Sequence, residues 1–270
     1  MKKLTQLAKT DKALDGAFGL FTPHQAGAKR NPVSIEIKAN GMITSFYAKE
    51  SLCDIDLRTL QTICALAYSA TKSANTGHLV TTMHQVLLNA GLSTTSVCSI
   101  KSIKKSLGRL AATLWEFQSA SELEGTKDEC YGGGSLIQYS FEHSETKTGA
   151  LTINIHPRLF KVITGDITRF NNLQMNEVRK LKTGVQRVLH HYLCSLLWAG
   201  QEPQPLTIDK LIERVWNQPP CQLKQTHYIN RRNQITKALN FIAANTGGAW
   251  SIQELSGDRY IVTRADIVEQ

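Results

Sequence analysis

The stretch Thr226–Asn245, THYINRRNQITKALNFIAAN, contains no aspartate or glutamate. Other gaps in the chain exclude whole classes of function. No apolar run approaches the roughly 20 residues needed to span a bilayer. Lys2 and Lys3 are followed by no signal-peptide core. The phosphate cradle GxxxxGK with Ser or Thr is missing, and GGGS at Gly132–Ser135 reads as loop. Six cysteines, at 53, 64, 98, 130, 194 and 221, make no CxxC pair and have no histidine at zinc-ligand spacing. Several lie in apolar runs, Cys64 in TICALAY and Cys194 in YLCSLLW, so buried free thiols in a reducing cytoplasm are expected. Membrane partners and cofactors are not expected.

His190-His191-Tyr192 invites a reading as a rolling-circle nuclease, with histidines on a metal and a tyrosine nucleophile. Adjacent helical residues point about 100° apart, so the two histidines do not share an ion. No cluster of carboxylates accompanies them. Satisfied or surface histidines are the expectation, with no catalytic residue and no metal.

What is present is positive charge. The 31 Lys and Arg exceed the 22 Asp and Glu, for a net charge of +9 over 270 residues. A folded protein of this kind commonly meets a polyanion, the bland alternative being a merely soluble basic protein. The length suits one large or two ordinary domains, and 41% hydrophobic residues suffice for packed cores.

Within Thr226–Asn245, Ile235, Ala238, Leu239 and Ile242 recur at helical spacing and mark a buried stripe. Asn230, Asn233 and Lys237 fall opposite, with Gln234 at one edge and Arg231 and Arg232 on the flanks. Such side chains can read DNA: Arg pairs with guanine O6 and N7, and Asn or Gln with adenine N6 and N7. A solvated surface helix is the alternative for this stretch taken alone.

Taken in order, the chain supplies the context. Residues 1–30 read as a partly ordered arm closed by Lys29-Arg30-Asn31-Pro32. SIEIKAN-G-MITSFYA is a hairpin signal about Asn40-Gly41. Asp54 or Asp56 can cap a helix with Leu57, Leu60, Ile63, Cys64 and Ala67 inside. A short helix in TTMHQVLLNAG stops at Gly91. A longer one, VCSIKSIKKSLGRLAATLWEF, carries Ser99, Lys101, Ser102, Lys104, Lys105 and Arg109, with Ile100, Ile103, Leu107, Leu110, Ala111 and Leu114 inside. SELEGTKDECYGGGS reads as a mobile loop. SLIQYSFEHSE and ALTINIHP, joined through Thr146–Gly149, alternate as a hairpin, and HPRLFKVITGD closes the unit near Gly165.

The order then repeats: one long helix in MNEVRKLKTGVQRVLHHYLCSLLW, a Pro-bearing turn in GQEPQP, and a short helix in LTIDKLIERVW with Leu206, Leu211, Ile212 and Val215 inside. The turn QPPCQLK, the carboxylate-free helix and a hairpin about Ser256-Gly257-Asp258 follow. Short helix, turn, basic helix and hairpin is the winged helix-turn-helix order. The fold class expected is α+β, two tandem winged-helix domains: an arm at 1–30, a first unit at 31–166 and a second at 167–270.

The chain also resembles the replication protein C type of plasmid replication initiator, the iteron-binding initiators of IncQ-like plasmids. The resemblance is densest from Met175 to Arg264, in MNEVRKL, RVLHHYLCSLL, LTIDKLIERVW, RRNQITKAL and GDRYIVTR. A thinner match covers Gly19–Phe21, Asp56–Gln61 and His156–Phe160. It implies binding of double-stranded DNA at direct repeats of an origin, opening of an adjacent AT-rich region, self-association as a dimer, and a replicative helicase as partner. Arg231, Arg232, Asn233 and Gln234 match the start of the second recognition helix, while Lys237 stands where the family pattern is acidic. The first recognition helix matches in outline.

Role by role, Thr226 is the expected N-cap, and the helix start also favours a phosphate. Asn230, Arg231, Asn233 and Gln234 are candidate base readers. Arg232, Lys237, Lys224 and the wing residue Arg259 are candidate phosphate contacts. A winged-helix transcriptional repressor is the alternative function, since fold does not fix function.

Overall fold

The computed structural model describes residues 4–15, 17, 19–24, 30–39, 42–71, 77–119, 131–142, 149–167 and 170–265. The arm expected at 1–30 is, where described, built into the body. Strand β1 (Leu7–Asp11) is followed by a short helix α1 (Lys12–Asp15) and strand β2 (Phe21–Thr22). Ala8, Leu14, Leu20 and Phe21 are buried. Buried Asp11 faces Arg158 at 3.0 Å, and both the amide and hydroxyl of Thr5 donate to Asn89 Oδ1 at 2.9 Å. The partner strand of β1 lies far along the chain, so no local periodicity announces the pairing.

Val33–Ala39 (β3) and Met42–Ala48 (β4) form the expected antiparallel hairpin; the turn Asn40-Gly41 lies outside the described residues. β5 (Leu52–Cys53) runs parallel to β2 and leads into α2 (Asp54–Thr71). The inner positions Leu57, Leu60, Ile63, Cys64 and Ala67 are buried as expected, but so are Arg58, Thr59, Gln61 and Thr62. Helix α2 is thus surrounded, and its polar side chains bond inside the protein. The Thr59 and Thr62 hydroxyls donate to the Ile55 and Arg58 carbonyls, each at 2.8 Å. The Arg58 guanidinium donates to the Arg179 carbonyl at 3.3 Å. Burial, with Arg187 nearby, pulls the Arg58 pKa down to about 10.

β6 (His78–Thr82) precedes the short helix α3 (Met83–Asn89), capped by Thr82. Gly91, at φ +63, turns the chain toward α4 (Val97–Ala111). The sequence suggests that this helix continues through Phe117. Instead it stops at Ala111, and β7 (Thr113–Ser119) begins, pairing with β4. TLWEF alternates, and its inward Trp115 is fully buried, stacked on Phe46 at 5.4 Å and on His156 at 4.7 Å. Burial lowers the His156 pKa to about 4. β8 (Tyr131–Ser135) completes a four-stranded sheet, β3-β4-β7-β8, so the GGGS segment is strand rather than loop. Residues 120–130 of the expected mobile loop lie outside the described residues.

β9 (Ile137–Phe141) and β10 (Ala150–Ile155) form the next expected hairpin, and β6 adds a third strand in the order β6-β10-β9. Its connection at 143–148 lies outside the described residues. Helix α5 (Pro157–Thr164) ends on Gly165 at φ +94. β11 (Phe170–Gln174) takes β1 as its antiparallel partner.

The long helix expected next is two: α6 (Met175–Lys180) and α7 (Gly184–Leu196). Leu181 is extended, and Thr183 starts a new helix through a capping box with Gln186. A Cβ at Gly184 would lie 2.9 Å from Asp54 Oδ1, so this helix start sits directly against α2. β12 (Gln204–Thr207), read from sequence as part of a turn, pairs with β14 (Arg259–Arg264), which pairs in turn with β13 (Trp250–Leu255). Pro205 is tolerated because β12 is an edge strand. Between them lie α8 (Ile208–Trp216), whose Leu211, Ile212 and Val215 are buried with Leu206 of β12, and α9 (Gln225–Asn245).

The two halves therefore share one frame: helix, strand, short helix, longer helix, and a hairpin whose second strand pairs with the first strand of the set. β7 and β8 are an insertion in the first copy.

The start of α2 ties the copies together. Asp56 has a fully buried side chain, accepts the Cys53 amide at 2.8 Å, and receives Arg109 of α4 through Nε and Nη2, one edge of the guanidinium, at 2.7–3.1 Å. Two residues earlier, Asp54 accepts the His24 amide at 2.9 Å and pairs with Arg187 of α7. Neither aspartate is the N-cap; Asp56 instead reaches back to the residue before the helix. Arg30 also reaches Asp56 Oδ2, at 3.3 Å, so removing Arg109 leaves the buried carboxylate with this one longer pairing. Arg109→Ala should lower stability by about 3–5 kcal/mol, read by urea denaturation. A loss under about 1 kcal/mol would contradict this role.

Candidate nucleic-acid interface

Helix α9 is built around the stripe expected of it. Ile235, Ala238, Leu239 and Ile242 are buried, and no carboxylate interrupts the rest. Its N-cap is Lys224, which makes no side-chain cap bond. Thr226, expected there, lies inside the first turn and is exposed. A second set of contacts fixes the helix from its sides: Tyr228 Oη donates to Asp209 Oδ1 at 2.9 Å, and Thr236 Oγ1 meets Tyr260 Oη at 3.2 Å.

The candidate residues separate into three groups. Thr226, Asn230, Asn233 and Lys237 are exposed along the outer face, with no side-chain partner among the described residues. Arg231 and Gln234, with one edge of Asn230, line a neighbouring cleft of about 580 Å³, which Trp216, His227, His24 and Thr183 also line. The Arg231 guanidinium lies 5.0 Å from the centre of the Trp216 ring, half-buried, with Nη1 lacking a hydrogen-bond partner. Burial lowers its pKa below the ordinary arginine value. Arg232 leans to the wing, where its Nε donates to Asp258 Oδ2 at 2.9 Å and Nη2 pairs with Oδ1. That hydrogen-bonded pair raises the Arg232 pKa and lowers that of Asp258. Gly257 and Asp258 both take positive φ, +72 and +57, so the wing turn is tight as well as clamped. Lys224 and Arg259 are exposed at the edges of the face, Arg259 Nε donating to the Ser256 carbonyl at 3.3 Å.

In α4 the equivalent face is basic. Ser96 caps the helix by accepting the Ser99 amide at 3.3 Å. Lys101 and Lys105 are exposed; Ser99, Ser102 and Lys104 are half-buried, and Lys104 Nζ lies 5.7 Å from the Phe141 ring of the hairpin. Arg109 is corrected: it is the buried clamp on Asp56 and points away from this face. Its place in the last helical turn, on the flank nearest α2, is not visible in the basic composition alone. Two exposed aliphatic residues on these helices, Val97 and Ile229, escaped the sequence reading.

His190, His191 and Tyr192 are all buried. His190 Nε2 and the Trp250 indole N–H both meet Glu177 Oε2, at 2.8 and 3.0 Å, and His191 Nδ1 meets Gln61 at 3.3 Å. These are core histidines, each bonded to a neighbouring helix. Among the described residues, no group of three His, Cys, Asp or Glu could hold a metal, and no helix is long and apolar enough to cross a membrane.

With the geometry in place, known proteins give it a lineage. Residues 73–266 match the model of a family described as Replication protein C. The chain belongs to the replication protein C family. The resemblance drawn from sequence thus holds, and membership makes the protein an origin-binding plasmid replication initiator. No curated protein matches the chain in sequence. Two structures of domains 2 and 3 of RctB match at 12% identity. One, with TM-score 0.62, covers 94% of this chain and 97% of that chain. The other, of selenomethionine derivatives, has TM-score 0.59 and covers 92% and 95%. The Pi initiator protein in complex with iteron DNA also matches, at 12% identity and TM-score 0.49, over 85% of this chain and 100% of that one. At such identity the RctB likeness is one of fold: helices and small sheets mixed along the whole chain.

The buried histidine makes a prediction about pH. Burial opposes charge on His190, but Cys194 and the Glu177 carboxylate outweigh it and raise the pKa from 6.5 to about 9. Its contribution to stability is therefore complete below pH 6.5 and is lost as pH rises through about 9. Urea midpoints measured across this range should fall more for the parent protein than for His190→Gln. Parallel pH curves for the two would contradict the charged state.

Proposed function

We propose that this initiator recognises direct repeats at a plasmid origin through two tandem winged-helix units, bounded near residues 31–166 and 167–270. In this reading α4 and α9 are the recognition helices, and the hairpins β9–β10 and β13–β14 are the wings. The observation that carries it is the repetition: two copies of one frame, each presenting an exposed helix face free of carboxylates. Asn230 and Asn233 read base edges from the centre of the α9 face, and Arg231 and Gln234 do so from its cleft side. Lys224, Lys237, Arg259, Lys101, Lys104 and Lys105 meet phosphates, with Arg232 holding the wing while facing the backbone. Ser99 and Ser102 approach the duplex at the start of α4.

The protein acts by binding, without a chemical step of its own. Linked units raise affinity through effective concentration. Several copies on tandem repeats strain the duplex where TA and CA steps deform most easily, and this strain begins the opening. Further strand separation falls to a separate helicase, and self-association as a dimer regulates the free protein.

Footprinting on an origin fragment tests the reading. Protected tandem repeats with permanganate-reactive thymines beside them are expected; a single protected palindrome without reactive thymines would indicate repression instead. Asn233→Ala should weaken the repeat by about 1–3 kcal/mol and barely change random duplex. Lys105→Ala should weaken both and reduce the salt slope by about 1. Equal losses on both DNAs for Asn233→Ala would remove it from the readers.

A further inference from the structure

Helices α4 and α9 share more than a role in the frame. Their buried residues fall in one register: Ile103, Ser106, Leu107 and Leu110 in α4 correspond to Ile235, Ala238, Leu239 and Ile242 in α9. Aligning these sets places VCSIKSIKKSLGRLA on INRRNQITKALNFIA. Ile103, Lys105, Leu107 and Ala111 then meet identical residues at Ile235, Lys237, Leu239 and Ala243. Helix α9 simply begins one turn earlier.

This register places Val97 on Ile229. Val97 is 63% exposed and Ile229 is 44% exposed. Among the described residues they are the large hydrophobic side chains exposed on helices; the others so exposed, at Leu4, Tyr47, Val80, Leu114 and Trp198, lie on strands or connections. Each begins an outer row at helical i, i+4, i+8 spacing: Val97, Lys101, Lys105 in one helix and Ile229, Asn233, Lys237 in the other. Both rows are exposed throughout and both end in lysine. One exposed aliphatic residue is ordinary. The same kind at the same position of two equivalent faces, in line with polar groups, asks for a partner that is itself mixed.

A major groove is such a partner. Base edges there offer donors, acceptors and one apolar group, the thymine C5-methyl. We infer that Val97 and Ile229 are specificity-determining residues, each packing on a thymine methyl in its own major groove. This rests on the assignment of α4 and α9 as recognition helices. Both side chains are β-branched, so each holds one χ1 rotamer in a helix and is ordered before binding. The two units then recognise thymine at matching positions relative to the lysine that ends each row.

Deoxyuridine removes this methyl and keeps every hydrogen-bonding group. Repeat duplexes carrying deoxyuridine at one thymine at a time are titrated with the full chain by fluorescence anisotropy. Loss of a methyl contact should reduce affinity about fourfold at one or two thymines under each helix. Ile229→Ala should abolish the sensitivity under α9 and leave that under α4; Val97→Ala should do the reverse. Both substitutions sit on exposed helical surface, where alanine favours the helix. Unchanged affinity for a repeat with every thymine replaced, in a protein that still selects the repeat over random DNA, overturns this inference and leaves the repeat reading intact. A protein that does not select the repeat overturns both.

Discussion

Two carboxylates at the start of one buried helix hold the molecule's working parts in place. Asp56 takes the guanidinium of Arg109 from α4, and Asp54 takes that of Arg187 from α7. Helix α9 packs on α7, so both exposed faces are positioned from α2. Such pairs yield little net stability against an apolar replacement, yet breaking one is severe. Their geometry is also demanding: Arg109 engages Asp56 through two donors, Nε and Nη2, of one guanidinium edge, and Gly184 lets α7 approach Asp54 without a side chain between them. In the proposed reading α4 and α9 work at a fixed spacing, and this junction resists the shifts that would alter it.

The second half adds its own restraints. Arg232 fastens the β13–β14 turn to α9, Tyr228 fastens the start of α9 to α8, and Glu177 joins α6, α7 and β13 through His190 and Trp250. Charge thus serves two purposes. Buried or half-buried arginines organise the fold, whereas exposed lysines and amides remain for a partner. The net charge of +9 does not distinguish these purposes; partners and burial do.

That division explains how much was legible in the sequence. Regular periodicity was enough for α3, α8, α9, the body of α4 up to Ala111 and the three hairpins, and the stripe of α9 was read residue by residue. The faces followed, because a helix that buries Ile235, Leu239 and Ile242 must expose Asn233 and Lys237. What escaped depends on distant partners. β1 needs β11, β6 needs β10 and β12 needs β14, and each is too short to declare itself. Thr183 looks like a residue within a helix until its capping box with Gln186 is seen. Arg109 looks like another DNA-facing cation until Asp56 is found beneath it. Val97 and Ile229 give no signal in the sequence, where an aliphatic residue in a helix reads as core until its exposure is known.

The account stands on two groove-facing helices held at one spacing by a common buried helix. Hydroxyl-radical footprinting of a single chain on a single repeat tests that most directly. Two protected windows on one face of the duplex, about 10 base pairs apart from centre to centre, are the predicted result. One continuous or isolated window, unchanged when the outer face of α4 is altered at Lys101 and Lys105, would contradict it.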